Sequence, residues 1–117
     1  MNPPSVLLAL VEAGVVLWVE DRRLRFRAPE GALDADLRAR SAACRGALVA
    51  LVKAGAVLPP DLAAWPADAR ESVEERAAIM EFDGGLPRDV AEREAERCVR
   101  LEHARAFVAR AALRSPR

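Results

Sequence analysis

Four arginines crowd one short stretch of the chain: Arg22, Arg23, Arg25 and Arg27. Three of them alternate with Leu24 and Phe26 in the run RLRFR. Strict alternation sends one set of side chains to one face of a strand and the other set to the opposite face. A planar guanidinium reads a carboxylate through two parallel N–H donors, which an ammonium cannot do. An exposed strand also carries unpaired N–H and C=O groups that an extended peptide can complete without a pocket. The chemistry expected of such a strand is capture of a carboxylate-bearing segment. The competing reading is an ordinary solvated face, because Lys53 is the only lysine and arginine is the usual cation throughout the chain. Trp18 precedes the arginines and is read either as a core plug or dimer seam, or as a binding anchor. The candidate partner-binding residues are therefore Arg22, Arg23, Arg25, Arg27 and Trp18.

A second basic set, Arg105, Arg110, Arg114 and Arg117, closes the chain and would suit phosphates. It supports an alternative reading as a small accessory subunit of a mobile-element, defence or replication complex that binds nucleic acid. A formal net charge of zero and a sequence pI near 6.6 weigh against that alternative.

Catalysis finds little to work with. There is one histidine, His103, read as a surface side chain, and no tyrosine. No Ser–His–Asp or Cys–His spacing supplies an activated nucleophile. The acidic residues Glu71, Glu74, Glu75, Glu81 and Asp83 have no His or Cys company for a metal and read as a solvated helix face. Gly84–Gly85 follows a helical pattern and does not sit between strand and helix, as a phosphate loop would. The expectation is a non-enzyme without metal or cofactor. Cys44 and Cys98 lie far apart in helical patterns and are expected to be reduced and inert.

The elements that position these residues follow from period and punctuation. Pro3–Pro4–Ser5 starts a helix with Ser5 as its cap, and Gly14 stops it as a left-handed residue. VVLWVE and RLRFR form a hairpin whose turn falls at Asp21–Arg22 or Arg22–Arg23. That turn lacks Gly and Asn, so a looser loop than a tight primed turn is expected. Asp34 caps a helical pattern that runs to about Lys53, with Ser41 or Gly46 as the place where it kinks or divides. Gly55 ends it. After Leu58–Pro59–Pro60 the chain reads as all helix. Ser72-x-x-Glu75 is a capping-box pattern before Val73, Ala77, Ile79, Met80 and Phe82. A helix after Pro87 carries Val90, Cys98, Leu101, Ala104 and Val108 on one stripe, with Asp89–Arg93 and Glu96–Arg100 as ion pairs on its wet face.

These residues, taken in order, resemble a known family. Leu7–Leu8-x-Leu10, then GVVLWVE (14–20), RLRFRAPEGAL (23–33), Asp34-x-x-Leu37–Arg38 and ALVALV (47–52) are similar to the TubC N-terminal docking domain family. The resemblance implies an αββαα fold, usually a homodimer, at the N-terminus of nonribosomal peptide and polyketide synthase subunits. There the family captures a short C-terminal peptide of the upstream subunit on its β-hairpin. Cys44–Arg45–Gly46 departs from the family pattern, which expects a Lys and a better helix former there, and no synthase sequence follows in these 117 residues. Residues 72–98 are similar to helix-DGGL-helix segments of phage, plasmid and integrative-element proteins.

The expected fold is α+β: a docking-type αββαα domain over residues 1–57, a Pro-containing linker over 58–71, and a helical hairpin or extension over 72–117. Leu7, Leu10, Leu17, Val19, Leu24, Phe26, Leu33, Leu37, Leu48 and Leu51 are expected in one core. The expected function is a non-catalytic protein–protein docking or adapter module that captures a partner peptide on the hairpin and contacts further partner surface through the C-terminal helices. No signal-peptide pattern and no membrane-length apolar run is seen, so a cytoplasmic protein without a membrane partner is expected.

Overall fold

The computed structural model describes residues 2–114. In chain order these form α1 (Pro3–Glu12), β1 (Val16–Glu20), β2 (Arg23–Arg27), α2 (Ala35–Ala43), α3 (Arg45–Lys53), a 3-10 turn (Leu62–Ala64), α4 (Ala67–Phe82) and α5 (Arg88–Arg114). The α+β order of helix, antiparallel hairpin and then helices is the one the sequence implies.

Local chemistry explains most of the boundaries. The first helix starts ahead of the expected Ser5 cap: Asn2 caps it, accepting from the Ser5 N–H, and proline fills the first turn, where a missing N–H costs nothing. Gly14 ends it at φ 89°, with Gly14 N–H donating to Val11 C=O and Val15 N–H to Leu10 C=O. Gly55 repeats the device at the end of α3, with Gly55 N–H on Val52 C=O and Ala56 N–H on Leu51 C=O. Asp34 caps α2 as expected, its carboxylate accepting from Leu37 N–H at 2.8 Å. The division between α2 and α3 falls at Cys44, between the two expected positions, where the backbone leaves helical geometry at φ −123° and ψ 30°.

Further expectations are corrected. The hairpin turn is the tight two-residue kind: Glu20 pairs directly with Arg23, and both Asp21 (φ 52°) and Arg22 (φ 65°) adopt the left-handed region. The right-handed twist of the strands selects this primed geometry even without glycine. Next, α4 begins at Ala67 after Pro66, so Ser72 lies inside the helix and caps nothing. Finally, Phe26 is 51% exposed and does not join the core. Its cross-strand neighbour Leu17 fills the space under the hairpin instead, at 3% exposure.

Two apolar clusters result. Val6, Leu7, Leu10, Val15, Leu17, Leu37 and Leu48 make the first, with Leu24, Leu33 and Leu51 packed at its margin. Leu58, Trp65, Val73, Ala77, Ala91, Ala95 and Val99 make the second. The line Ala77, Ala91, Ala95 lets α4 and α5 approach closely. The buried positions of α5 are Ala91, Ala95, Val99, Arg100 and Ala104. Of the expected stripe, Val90, Cys98, Leu101 and Val108 are only half-buried, because α4 and the Leu58–Trp65 segment meet α5 on a neighbouring face. On α4, Ile79 and Phe82 face solvent, at 53% and 79% exposure. The helix ends where Gly84 passes so near Met80 that a Cβ would lie 2.7 Å from the Met80 carbonyl oxygen.

Helix α5 touches both clusters. Phe107 and Val108 pack against the first. Arg97 donates to the Glu12 carbonyl at 3.1 Å, and His103 Nε2 lies 2.9 Å from the Gly55 carbonyl oxygen. His103 is thus half-buried and tied to the end of α3, where the sequence reads a plain surface side chain. Arg100 departs further from expectation. It pairs with Glu96 at 3.0 Å, but it is buried, with 7% of the residue exposed. Its remaining donors reach the carbonyls of Leu58 (3.1 Å) and Pro60 (3.2 Å), and its guanidinium stacks 4.8 Å from the centre of the Trp65 ring. Trp65 in turn donates its indole N–H to Pro59 C=O at 2.7 Å. Burial pushes the Arg100 pKa below its ordinary value, while the bond to Glu96 opposes that push.

Candidate functional site

The hairpin register decides which candidate residues meet. Val16 pairs with Arg27, Leu17 with Phe26, Trp18 with Arg25, Val19 with Leu24 and Glu20 with Arg23. Residues opposite one another share a face. One face therefore carries Leu17, Val19, Leu24 and Phe26, and the other carries Val16, Trp18, Glu20, Arg23, Arg25 and Arg27. Trp18 is half-buried and lies directly across from Arg25, so the aromatic and the arginines, read as separate candidates from sequence, form one surface.

The turn also decides which backbone groups are free. In a two-residue hairpin the closing residues bond to each other, and bonded and non-bonded pairs alternate from there. Arg23, Arg25 and Arg27 consequently aim their N–H and C=O groups at β1. Leu24 and Phe26 aim theirs away from it, and neither makes another backbone hydrogen bond. The sheet has two strands, so this side of β2 is an open edge among the described residues.

Along that edge runs a groove of about 660 Å³ between β2 and the helices α2 and α3. Its floor is apolar, formed by Leu17, Leu24, Phe26, Leu33 and Val49. Its rim is basic: Arg22, Arg23 and Arg25 on the hairpin side, Arg38 and Arg45 on the helix side. None of these five makes an ion pair among the described residues, so their charge is available to a ligand. Sequence reasoning missed Arg38 and Arg45. They lie on separate helices divided at Cys44, so no spacing within one helix signalled that they share a rim. The exposed Phe26 is the same groove seen from its floor.

The other candidates lie apart. Arg27 belongs to a different concavity, against α5. Arg105, Arg110 and Arg114 are exposed on α5, but at about 100° per residue Arg105 points some 140–180° away from the other two, and they form no single basic stripe. Arg117 lies outside the described residues. Cys44 and Cys98 are free and half-buried, the Cys44 thiol bonding the Arg40 carbonyl at 3.3 Å. Among the described residues no group of three or more His, Cys, Asp or Glu is placed to hold a metal ion, and no helix is long and apolar enough to cross a membrane.

No curated protein and no solved structure matches this chain. Residues 5–52, the segment that runs from α1 through α3 and holds both the hairpin and its groove, match the family model of the TubC N-terminal docking domain, the family that the sequence resembles.

Proposed function

We propose that the chain is a non-catalytic docking or adapter module that takes an extended, carboxylate-bearing segment of a protein partner along β2. The match of residues 5–52 to a docking domain supports a protein partner. The finer reading rests on one observation: the open backbone edge of Leu24 and Phe26 borders an apolar groove rimmed by five arginines that make no ion pair among the described residues. A bound segment gains main-chain hydrogen bonds from the edge, seats alternate apolar side chains beside Phe26, and meets Arg22, Arg23, Arg25, Arg38 and Arg45 with its acidic ones. Trp18 and Arg27 extend the contact on the opposite face of the strand. In this reading residues 1–57 are the docking unit, the C-terminal helices offer partner contact beyond the hairpin, and the unit works as a homodimer in the cytoplasm.

The test is affinity for a partner captured from the native host and identified by mass spectrometry. Charge reversal of Arg23 and Arg25 should weaken binding about tenfold or more, on the order of 1.4 kcal/mol, and leave folding nearly unchanged because both side chains are exposed. Equal affinities for wild type and the doubly reversed chain would remove the hairpin from the mechanism and move the interface to α4 and α5.

A further inference from the structure

Helix α4 carries apolar side chains on two faces. The inner face, with Val73 and Ala77, is buried in the second core. The outer face presents Ile79 and Phe82 to water. At about 100° per residue, Glu71, Glu75, Ile79 and Phe82 fall within about 80° of one another, on the side of the helix opposite Val73 and Ala77. The outer stripe is thus acidic in its first half and apolar in its second, and it ends where the helix dipole is negative. Glu71 and Glu75 are exposed and make no ion pair among the described residues, while Arg76, the cation between them and Ile79, is engaged with Glu102. The helix already buries its inner face, so the outer apolar pair adds nothing to the packing of its own chain.

We propose that the groove beside β2 receives the outer face of α4 from a second copy of this chain. The groove has an apolar floor and a rim of arginines without ion pairs; the stripe has an apolar pair and two carboxylates without ion pairs. Ile79 and Phe82 lie on the floor, beside Phe26, and Glu71 and Glu75 meet the rim, in the manner of an amphipathic helix laid into a groove. The two surfaces do not meet within one chain: the groove lies among β2, α2 and α3, whereas α4 packs on α5 and its stripe faces solvent. A basic partner would match the stripe alone, and an acidic segment would match the groove alone. A second copy matches both, in a chain whose formal net charge is zero. Because unlike surfaces meet, the contact is head-to-tail, and it differs from a symmetric pairing of docking units, in which one patch meets itself. It also uses residues 71–82, outside the matched segment 5–52. The contact shares the groove with the docking reading but does not rest on it. A seated copy and a partner segment exclude each other, so self-association covers the apolar groove until a partner displaces it.

The test is analytical ultracentrifugation of the full chain over a concentration series. Wild type should gain mass with concentration, and added salt should weaken the association because the rim pairs are screened. Two variants each remove one half of the contact. Ile79→Ser with Phe82→Ser strips the stripe, and Arg38→Glu with Arg45→Glu reverses the helix side of the groove; all four side chains are exposed, so circular dichroism should match wild type. Each variant alone should associate at least tenfold more weakly. Mixed, with a fluorescent label on one, they should bind each other with wild-type affinity, because one chain keeps the groove and the other keeps the stripe. A second stripe variant, Glu71→Arg with Glu75→Arg, guards against misfolding of the first: mixed with the groove-reversed chain, it should bind more tightly than either binds itself. A wild-type mass that ignores concentration, a stripe variant that loses association while the groove variant keeps it, or mixtures that fail to bind would overturn the contact. The docking reading is decided separately, by partner affinity after reversal of Arg23 and Arg25. Loss of that affinity in a chain that does not self-associate leaves docking standing and removes this contact; self-association with unchanged partner affinity does the reverse.

Discussion

Replacing Arg100 by alanine strips the Leu58 and Pro60 carbonyls of their donors, leaves Glu96 without its partner, and uncovers the Trp65 ring. Removing one member of a buried, hydrogen-bonded charge network is among the costlier single changes. Arg100→Ala should lower unfolding stability by about 2–3 kcal/mol, read from urea denaturation. The same change at Arg97, whose pair with Glu94 is largely exposed, should cost less than about 1 kcal/mol. The i,i+4 pair of Glu96 and Arg100 was legible in the sequence, but its burial was not. Helical spacing says which side chains adjoin along one helix, and only the fold of residues 58–65 over α5 says that this pair leaves water. His103 repeats the lesson, since its bond to Gly55 joins residues 48 apart in the chain.

At the scale of elements, the hairpin holds two opposed tendencies. Asp21 and Arg22 both sit at positive φ, a region that costs a side chain free energy and costs glycine none. Arg22→Gly should therefore raise stability by less than about 1 kcal/mol, because relief at positive φ is partly offset by glycine's greater freedom in the unfolded chain, visible as a higher thermal midpoint. Gly84 is the converse case. Its added Cβ would meet the Met80 backbone oxygen, so Gly84→Ala should destabilise the chain by more than about 1 kcal/mol in the same measurement. Phe26 separates folding from binding. Being half-exposed, it should lose less than about 1 kcal/mol of stability on change to serine, whereas Leu17→Ala, in the core, should cost about 2–5 kcal/mol. Partner affinity should follow Phe26, not only overall stability. Alternation correctly placed Leu24 and Phe26 on one face. It could not say that Leu17 fills the space beneath that face and leaves Phe26 over a groove, because filling a volume depends on what arrives from α1, α2 and α3 together.

At the scale of the whole molecule, α5 braces the N-terminal unit through Phe107 and Val108 against the first core and through the Arg97–Glu12 and His103–Gly55 bonds. A chain cut after residue 57 should lose these contacts and show a lower thermal midpoint by circular dichroism than the full chain; an equal midpoint would mean that the extension only decorates the unit. What the sequence determined alone is what depends on near neighbours. Gly14 and Gly55 end helices because left-handed residues are needed there, Asp34 caps α2, and period-two runs make the hairpin. The ordered pattern over residues 5–55 was enough to show a resemblance to the docking family, whose model matches residues 5–52. What only the tertiary structure decided depends on elements meeting: the burial of Arg100, the union of Trp18 with the arginines on one face, the placing of Arg38 and Arg45 opposite the hairpin, and the transfer of Arg27 to the concavity against α5. Each of these is set by which surfaces the folded chain brings together to exclude water, and no periodicity within a single element records that choice.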